Sequence, residues 1–294
     1  MQNASAHEVS SEVIISPKTI CVIGTGVLGI QISTFLLLLG KKVTIKTRSL
    51  QREREIIQTI AKRLEKKRAE NDHTDYLGEL HVTAEFQDLS DCDLIIEAAI
   101  EDLSIKQQIF FEVSSYVRED VPIMTNSSSL SLDRIVERTS RPERCIGFHF
   151  FNPVDKMELV EIVIGDRTSN NTIEYAEALA KIMGKKSIRV KNSPGYIVNR
   201  LLFLQLNEAM NLVEKGIAKK EDIDTAMKLG LRHPMGPFEL ADYIGLDICL
   251  RILETISNDL DERFRPSPVL VDLVERNKLG RKTGEGFYLY PLKG

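Results

Sequence analysis

One stretch near the start of the chain restricts the fold more than any other. Thr19-Ile20-Cys21-Val22-Ile23 is a short, continuously apolar run, and Gly24-Thr25-Gly26-Val27-Leu28-Gly29 follows it at once. Ile30 to Leu39 then reads as a helix closed by Gly40, and Val43-Thr44-Ile45 as a second strand. A G-x-G-x-x-G set between a strand and a helix, with a second strand after it, predicts a parallel βαβ unit that holds a dinucleotide. Gly24 allows the tight turn, Gly26 lets the backbone approach a pyrophosphate, and Gly29 lets the helix pack close on the strand. The helix N-terminus supplies unpaired N–H groups and the positive end of a dipole. The competing reading, a tight turn with no ligand, lacks a reason for the full strand–helix–strand context.

The carboxylate that would hold the adenosine ribose hydroxyls is missing after the second strand. The segment reads Ile45-Lys46-Thr47-Arg48-Ser49, with no acid until Glu53. Thr47 and Arg48 suit a 2′-phosphate better than a free ribose, which points to NADP; the alternative is a solvated basic loop with NAD held by other contacts. Residues 50 to 80 are rich in charge, with Ile56, Ile57, Ile60 and Leu64 as an apolar helical stripe. Lys62, Arg63, Lys66, Lys67 and Arg68 cluster there. They form either a solvated helix face or an anion site for a nucleotide-tailed or phosphopantetheine-tailed substrate. A buried strand at Cys92 to Ala99, a helix from Leu103 to Val117 and a strand at Pro122 to Thr125 follow. The last ends in Asn126-Ser127-Ser128-Ser129, at the carboxyl end of a parallel strand, where open α/β sheets bind ligands. The same serines, or Leu132-Asp133, also suit the cap of a helix over Ser131 to Arg138.

A second feature sits between His149 and Glu161. Ile146, Phe148 and Phe150 alternate with Gly147, His149 and Phe151; a second alternation runs through Met157, Leu159, Glu161 and Val163. Asn152-Pro153 breaks the chain between them. Folding the two runs back on each other with Asp155 at the tip puts His149 opposite Glu161, either a poised acid/base pair or a buried ion pair. After a helix from Asn171 to Gly184 and a strand from Ser187 to Val190, the pattern changes at Asn192-Ser193-Pro194-Gly195. Residues 196 to 215 form a helix apolar nearly all round, which predicts burial in a bundle or a subunit interface. Helices over Lys220 to Leu229, Phe238 to Asp259 and Val269 to Asn277 complete the chain. The expected fold is α/β: a Rossmann-like dinucleotide-binding domain over residues 18–192, then an all-helical domain over 193–294 for substrate and dimerisation, with 1–17 a flexible tail.

Composition removes other classes. A net charge of −4 provides no basic field to draw a nucleic acid. Cys21, Cys92, Cys145 and Cys249 are scattered without a CxxC, as reduced core residues of a cytoplasmic protein, and no metal site is expected. The start of the chain has neither a signal-peptide apolar segment nor a basic presequence, and the apolar run from Phe35 to Leu39 is too short to span a membrane.

Taken together, these residues resemble the 3-hydroxyacyl-CoA dehydrogenases, including the 3-hydroxybutyryl-CoA type. The marks are GTGVLG at 24–29, EAAIEDLSIK at 97–106, TNSSSL at 125–130, GFHFFNPVDKMELVE at 147–161, NSPGYIVNRLL at 192–202, HPMGPFELADYIGLD at 233–247 and GRKTGEGFYLY at 280–290. The resemblance implies that His149 is the catalytic base, that Glu161 orients it, and that Ser128 and Asn199 hold the substrate oxygen. It implies cofactor contacts from Gly24, Gly26 and Gly29 and further ones from Glu101, Lys106 and Asn126. It also implies oxidation of (S)-3-hydroxyacyl thioesters with NAD or NADP in fatty acid metabolism, by a homodimer whose active site lies between its domains. Thr47-Arg48 departs from the family at its usual acidic position, and Ser127 stands where the family usually has Thr. Two alternatives accompany this reading. One is a biosynthetic dehydrogenase of a carrier-protein-linked hydroxyacyl group such as glyceryl, and the other is a non-catalytic nucleotide-binding relative.

Overall fold

Short apolar runs and amphipathic helices alternate along the first two thirds of the chain, and the structure, a computed structural model, turns them into one layered sheet. It describes residues 16–67 and 72–291, so most of the expected tail, and Arg68 of the basic cluster, lie outside the described residues. Eight strands pair in the order β3-β2-β1-β4-β5-β6-β7-β8. They are β1 (Thr19–Ile23), β2 (Lys42–Lys46), β3 (Leu80–Thr83), β4 (Leu94–Glu97), β5 (Ile123–Thr125), β6 (Cys145–Phe150), β7 (Leu159–Ile164) and β8 (Lys186–Lys191). All neighbours run parallel except β6 and β7. β1 is buried on both faces, so its residues alternate between two cores rather than between core and water. Ile20 and Val22 join α1 (Val27–Leu38), α2 (Glu53–Glu65) and α5 (Asn170–Ile182) on one side. Cys21 and Ile23 join α3 (Leu103–Tyr116) and α4 (Leu132–Ile135) on the other.

Beyond β8 the described elements are helical: α6 (Val198–Glu214), α7 (Lys220–Leu231), α8 (Pro237–Ile244), α9 (Leu246–Asp259) and α10 (Pro268–Glu275). They share a separate core that includes Phe203, Leu206, Met210, Phe238, Leu253 and Phe264. Two buried aspartates lock the segment after α10 onto it. Asp242 accepts the N–H groups of Phe287 and Tyr288, and Asp224 accepts the Tyr288 hydroxyl and the Phe238 N–H of α8.

Two expectations about elements need correction, and one element lies where none was assigned. The single helix expected from Phe238 to Asp259 is broken at Gly245, whose φ of +106° and ψ of 123° no helix can continue through. The helix expected from Ser131 to Arg138 is one turn, Leu132–Ile135. Neither serine nor aspartate caps it by its side chain; Asp133 instead accepts the Asn192 amide and the Asp166 N–H. A strand, β3, starts at the end of the charged stretch and runs into a segment given no element by the sequence, added to the sheet edge beside β2.

Candidate active site

The glycine loop follows directly from the β1–α1 junction. A Cβ on Gly24 would lie 2.4 Å from the Ala98 carbonyl oxygen, and one on Gly29 would lie 2.1 Å from the Gly24 carbonyl oxygen. Both positions are closed to any side chain because backbone meets backbone there. Gly26 differs: nothing lies within 4 Å of where its Cβ would be, so its backbone faces open space at the start of α1. That first turn carries no acidic residue and no side-chain cap, which leaves its N–H groups suited to an anion. The loop therefore fits a dinucleotide pyrophosphate.

β6 and β7 bring His149 and Glu161 together. Their antiparallel register sets His149 directly opposite Glu161. His149 is 5% exposed and Glu161 fully buried, and Nδ1 of the imidazole donates to Oε2 of the carboxylate at 2.8 Å. The other oxygen, Oε1, accepts the Ile197 and Val198 N–H groups at 3.0 Å each, where α6 begins. Burial by itself raises the Glu161 pKa; the His149 hydrogen bond and charge, with the two amides, outweigh it and hold the carboxyl below its ordinary value. With Nδ1 bound to Glu161, Nε2 is the ring nitrogen left for another partner. Phe151 and Tyr196 pack on the ring, at centroid distances of 4.6 and 5.5 Å. The hairpin loop is fastened from α1, where Gln31 donates to Asn152 and accepts the Val154 N–H. Asp155, near the tip, pairs with Lys67 just beyond α2.

The serine loop after β5 is organised by a second carboxylate. Oε1 of Glu101 accepts the Ser127 hydroxyl at 2.7 Å and three donors at 3.0 Å: the Ser128 N–H, the Ser129 N–H and the Ser129 hydroxyl. Burial raises the Glu101 pKa, and the Lys106 charge with these serine donors brings it below its ordinary value. Asn126 spends its side-chain oxygen on the Phe150 N–H, tying this loop to the strand of His149. Ser128 is half-buried. The Asn199 amide, from the first turn of α6, reaches the Ser128 carbonyl oxygen at 3.5 Å.

Ser128, His149, Glu161 and Asn199 thus converge where the sheet meets α6. Lys106 does not reach the surface of this cleft: it is 1% exposed and its ammonium is taken by Glu97 at 2.6 Å, with Glu101 at 3.5 Å. Thr47 is buried, its hydroxyl donating to the Ser49 carbonyl and its N–H to the Thr83 carbonyl of β3, whereas Arg48 is exposed beyond the end of β2. Among the described residues no group of three or more His, Cys, Asp or Glu is placed to hold a metal ion, and all four cysteines are free and buried. No described helix is long and apolar enough to cross a membrane. Sequence reasoning missed Glu97, Thr125 and Gln31. A carboxylate in the middle of Leu94-Ile95-Ile96-Glu97-Ala98-Ala99 was the available signal for the first.

Fold and site together define a Rossmann-like sheet followed by a helical unit, with a glycine loop suited to a dinucleotide and a buried His–Glu pair where the sheet meets α6. Comparison with known proteins narrows this further. Residues 19–193 match the model of the 3-hydroxyacyl-CoA dehydrogenase NAD binding domain, and residues 195–290 that of the 3-hydroxyacyl-CoA dehydrogenase C-terminal domain. The 3-hydroxybutyryl-CoA dehydrogenase of Clostridioides difficile is 40% identical over 277 residues, covering 92% of this chain and 99% of that protein. The mitochondrial hydroxyacyl-coenzyme A dehydrogenase of Mus musculus is 40% identical over 289 residues, covering 93% and 91%. The crystal structure of (S)-3-hydroxybutyryl-CoA dehydrogenase from Ralstonia eutropha superposes with a TM-score of 0.88 at 39% identity, over 94% of this chain and all of that one. The chain belongs to the 3-hydroxyacyl-CoA dehydrogenase family, NAD-dependent oxidoreductases acting on CH–OH donors.

Proposed function

We propose that this chain interconverts (S)-3-hydroxyacyl and 3-oxoacyl thioesters, with His149 as acid/base, over a two-domain frame of residues 18–192 and 193–294. The observation that carries this is the buried Nδ1–Oε2 contact of 2.8 Å beside Ser128 and Asn199. The nicotinamide cofactor supplies the hydride acceptor or donor. In oxidation, Nε2 of His149 takes the proton of the 3-hydroxyl as hydride departs from the same carbon; in reduction the imidazolium returns it to the developing alkoxide. Glu161 holds the tautomer and stabilises the charged ring. The Ser128 hydroxyl and Asn199 amide hold the substrate oxygen, and Gly24, Gly26 and Gly29 carry the pyrophosphate. Glu101, Lys106 and Asn126 shape the nicotinamide side, Lys106 indirectly.

The cofactor reading is NADP in preference to NAD. Among the described residues no carboxylate pairs with Arg48, while the nearby Arg52 is taken by Glu55. The thioester handle rests on the face of α2. Thr59, Lys62, Arg63, Lys66 and Lys67 line a cavity of about 260 Å³, and among the described residues the buried Nε of Arg63 has no hydrogen-bond partner. A phosphate-bearing tail satisfies it, on CoA or on a carrier protein with a linked hydroxyacyl group such as glyceryl. A homodimer accounts for Leu201, Ile217, Leu229 and Leu231, each at least 62% exposed in the single chain. Four free, buried thiols suit a cytoplasmic setting.

The test is a panel of 3-oxoacyl groups on CoA and on carrier protein, each with NADH and NADPH, beside His149→Gln. Turnover lowered about a hundredfold or more by the substitution is expected for a general base. No turnover by the wild type with any pair overturns the reading in favour of a non-catalytic nucleotide-binding protein. A monomeric mass by light scattering overturns the dimer.

A further inference from the structure

Glu97 is the last residue of β4 and fully buried, and no step of the proposed reaction uses it. Three donors converge on it. Oε1 accepts the Lys106 ammonium and the Ala99 N–H, each at 2.6 Å, and Oε2 accepts the Thr125 hydroxyl at 2.6 Å. Two of these continue to the serine loop. Thr125 Oγ1 accepts the Ser127 N–H at 3.1 Å. Lys106 stands 3.5 Å from Oε2 of Glu101, whose Oε1 gathers the donors of Ser127, Ser128 and Ser129.

We propose that Glu97 is a positioning residue for Ser128, holding the 127–129 loop through Thr125 on one side and through Lys106 and Glu101 on the other. Two carboxylates share one buried ammonium. Glu97 holds that ammonium at 2.6 Å and so keeps it at 3.5 Å from Glu101. A buried, uncompensated charge is costly, so loss of the Glu97 charge draws Lys106 onto Glu101. The Glu101 carboxylate is then pulled from the serine donors it organises. In Glu97→Gln the new amide turns an N–H either toward the Lys106 ammonium or toward Thr125, whose hydroxyl proton then has no acceptor on residue 97, so one of the two arms is broken or reversed. The clamp itself is independent of the reaction, while its link to turnover rests on the dehydrogenase reading above.

Hydrogen exchange on the full chain tests the clamp without activity. In Glu97→Gln the amides of Ser127, Ser128 and Ser129 are expected to exchange at least about tenfold faster, with the core strands unchanged. Thr125→Val keeps the side-chain shape and cuts one arm, and is expected to speed the same amides by less; it carries the test if Glu97→Gln does not fold. Unchanged exchange at these amides in a folded variant, or acceleration spread through the sheet, overturns the proposal. Kinetics then ask whether the effect runs through Ser128. Glu97→Gln is expected to lower kcat/KM about tenfold or more in the wild type, and by less than about threefold in a Ser128→Ala background. Equal losses in both backgrounds overturn it. If the wild type turns over no thioester, the functional reading fails while exchange still decides the clamp.

Discussion

Replacing Glu161 by Gln isolates what its charge does, because the shape of the side chain is kept. The carboxylate has three donors: His149 Nδ1 on Oε2, and the Ile197 and Val198 N–H groups on Oε1. A glutamine has one oxygen. Two backbone donors that cannot turn away outbid one imidazole that can change tautomer, so the oxygen stays with α6 and the NH₂ faces His149. Nδ1 must then accept, and the proton moves to Nε2, the atom that in the proposed reaction receives the substrate proton. The imidazolium formed during oxidation also loses its counter-charge. Breaking a buried charged pair costs about 3–5 kcal/mol. At about 1.4 kcal/mol per tenfold, kcat is expected to fall by roughly two to four orders of magnitude. The docking of α6 survives, so melting temperature changes little beside that loss. The assay is kcat by nicotinamide absorbance with melting in parallel, and nitrogen NMR of the His149 ring reads the tautomer. A variant within about tenfold of wild-type kcat, with Nδ1 still protonated, refutes the reasoning.

Three further outcomes are expected. Arg48→Ala should raise the KM for NADPH about tenfold or more, and that for NADH little, in paired initial-rate measurements, because a charge-assisted contact to a 2′-phosphate is worth about 1.5–3 kcal/mol. Gly26→Ala should lower nucleotide affinity in a fluorescence titration while changing stability by only a few tenths of a kcal/mol, about the scale of a cap change. Gly29→Ala, which meets the Gly24 carbonyl at 2.1 Å, should lose both affinity and stability. Glu101 and Glu161 sit below their ordinary value of 4.5 in the folded chain, so the stability they lend is fully present above that value. It is lost as pH falls through their lower folded values; in urea titrations across that acid range, the gap between wild type and Glu101→Gln should close as the pH drops.

The parts of the fold legible in the sequence are those governed by neighbours. Alternation around Phe148 and Leu159, with Asn152-Pro153 between, was enough to set His149 opposite Glu161, because a strand has a period of two and one register buries both. The glycine spacing similarly fixed the β1–α1 junction. What escaped was decided at long range. β3 is four residues of ordinary polarity that become a strand only because the edge of β2 offers hydrogen bonds. The break at Gly245 lies in continuous helical periodicity, and a single glycine does not announce a positive φ. Glu97 lies within the run read as a buried strand, Cys92 to Ala99; that it shares Lys106 with Glu101 depends on how α3 packs back on β4.

The link between α6 and Glu161 is where the long-range and local parts meet. Gly195 and Tyr196 take left-handed conformations, φ +74° and +50°, in succession. That reversal aims the start of α6 at the sheet, so the Ile197 and Val198 N–H groups fall on Oε1 of Glu161 and Asn199 comes to Ser128. Tyr196, a residue that pays for its positive φ, is held there by burial against the His149 ring and by its hydroxyl on the Leu130 carbonyl. The amides at the helix start add the positive end of its dipole to the field that keeps Glu161 ionised. The carboxylate that sets the tautomer of His149 is therefore also the contact that docks the helical half of the chain. Separating α6 from the sheet would remove the Asn199 amide and two of the three hydrogen bonds to Glu161 in one motion. Ser128 and His149 come from the first half alone, so in the proposed reaction docking would not supply the reacting groups; it would complete the field around them.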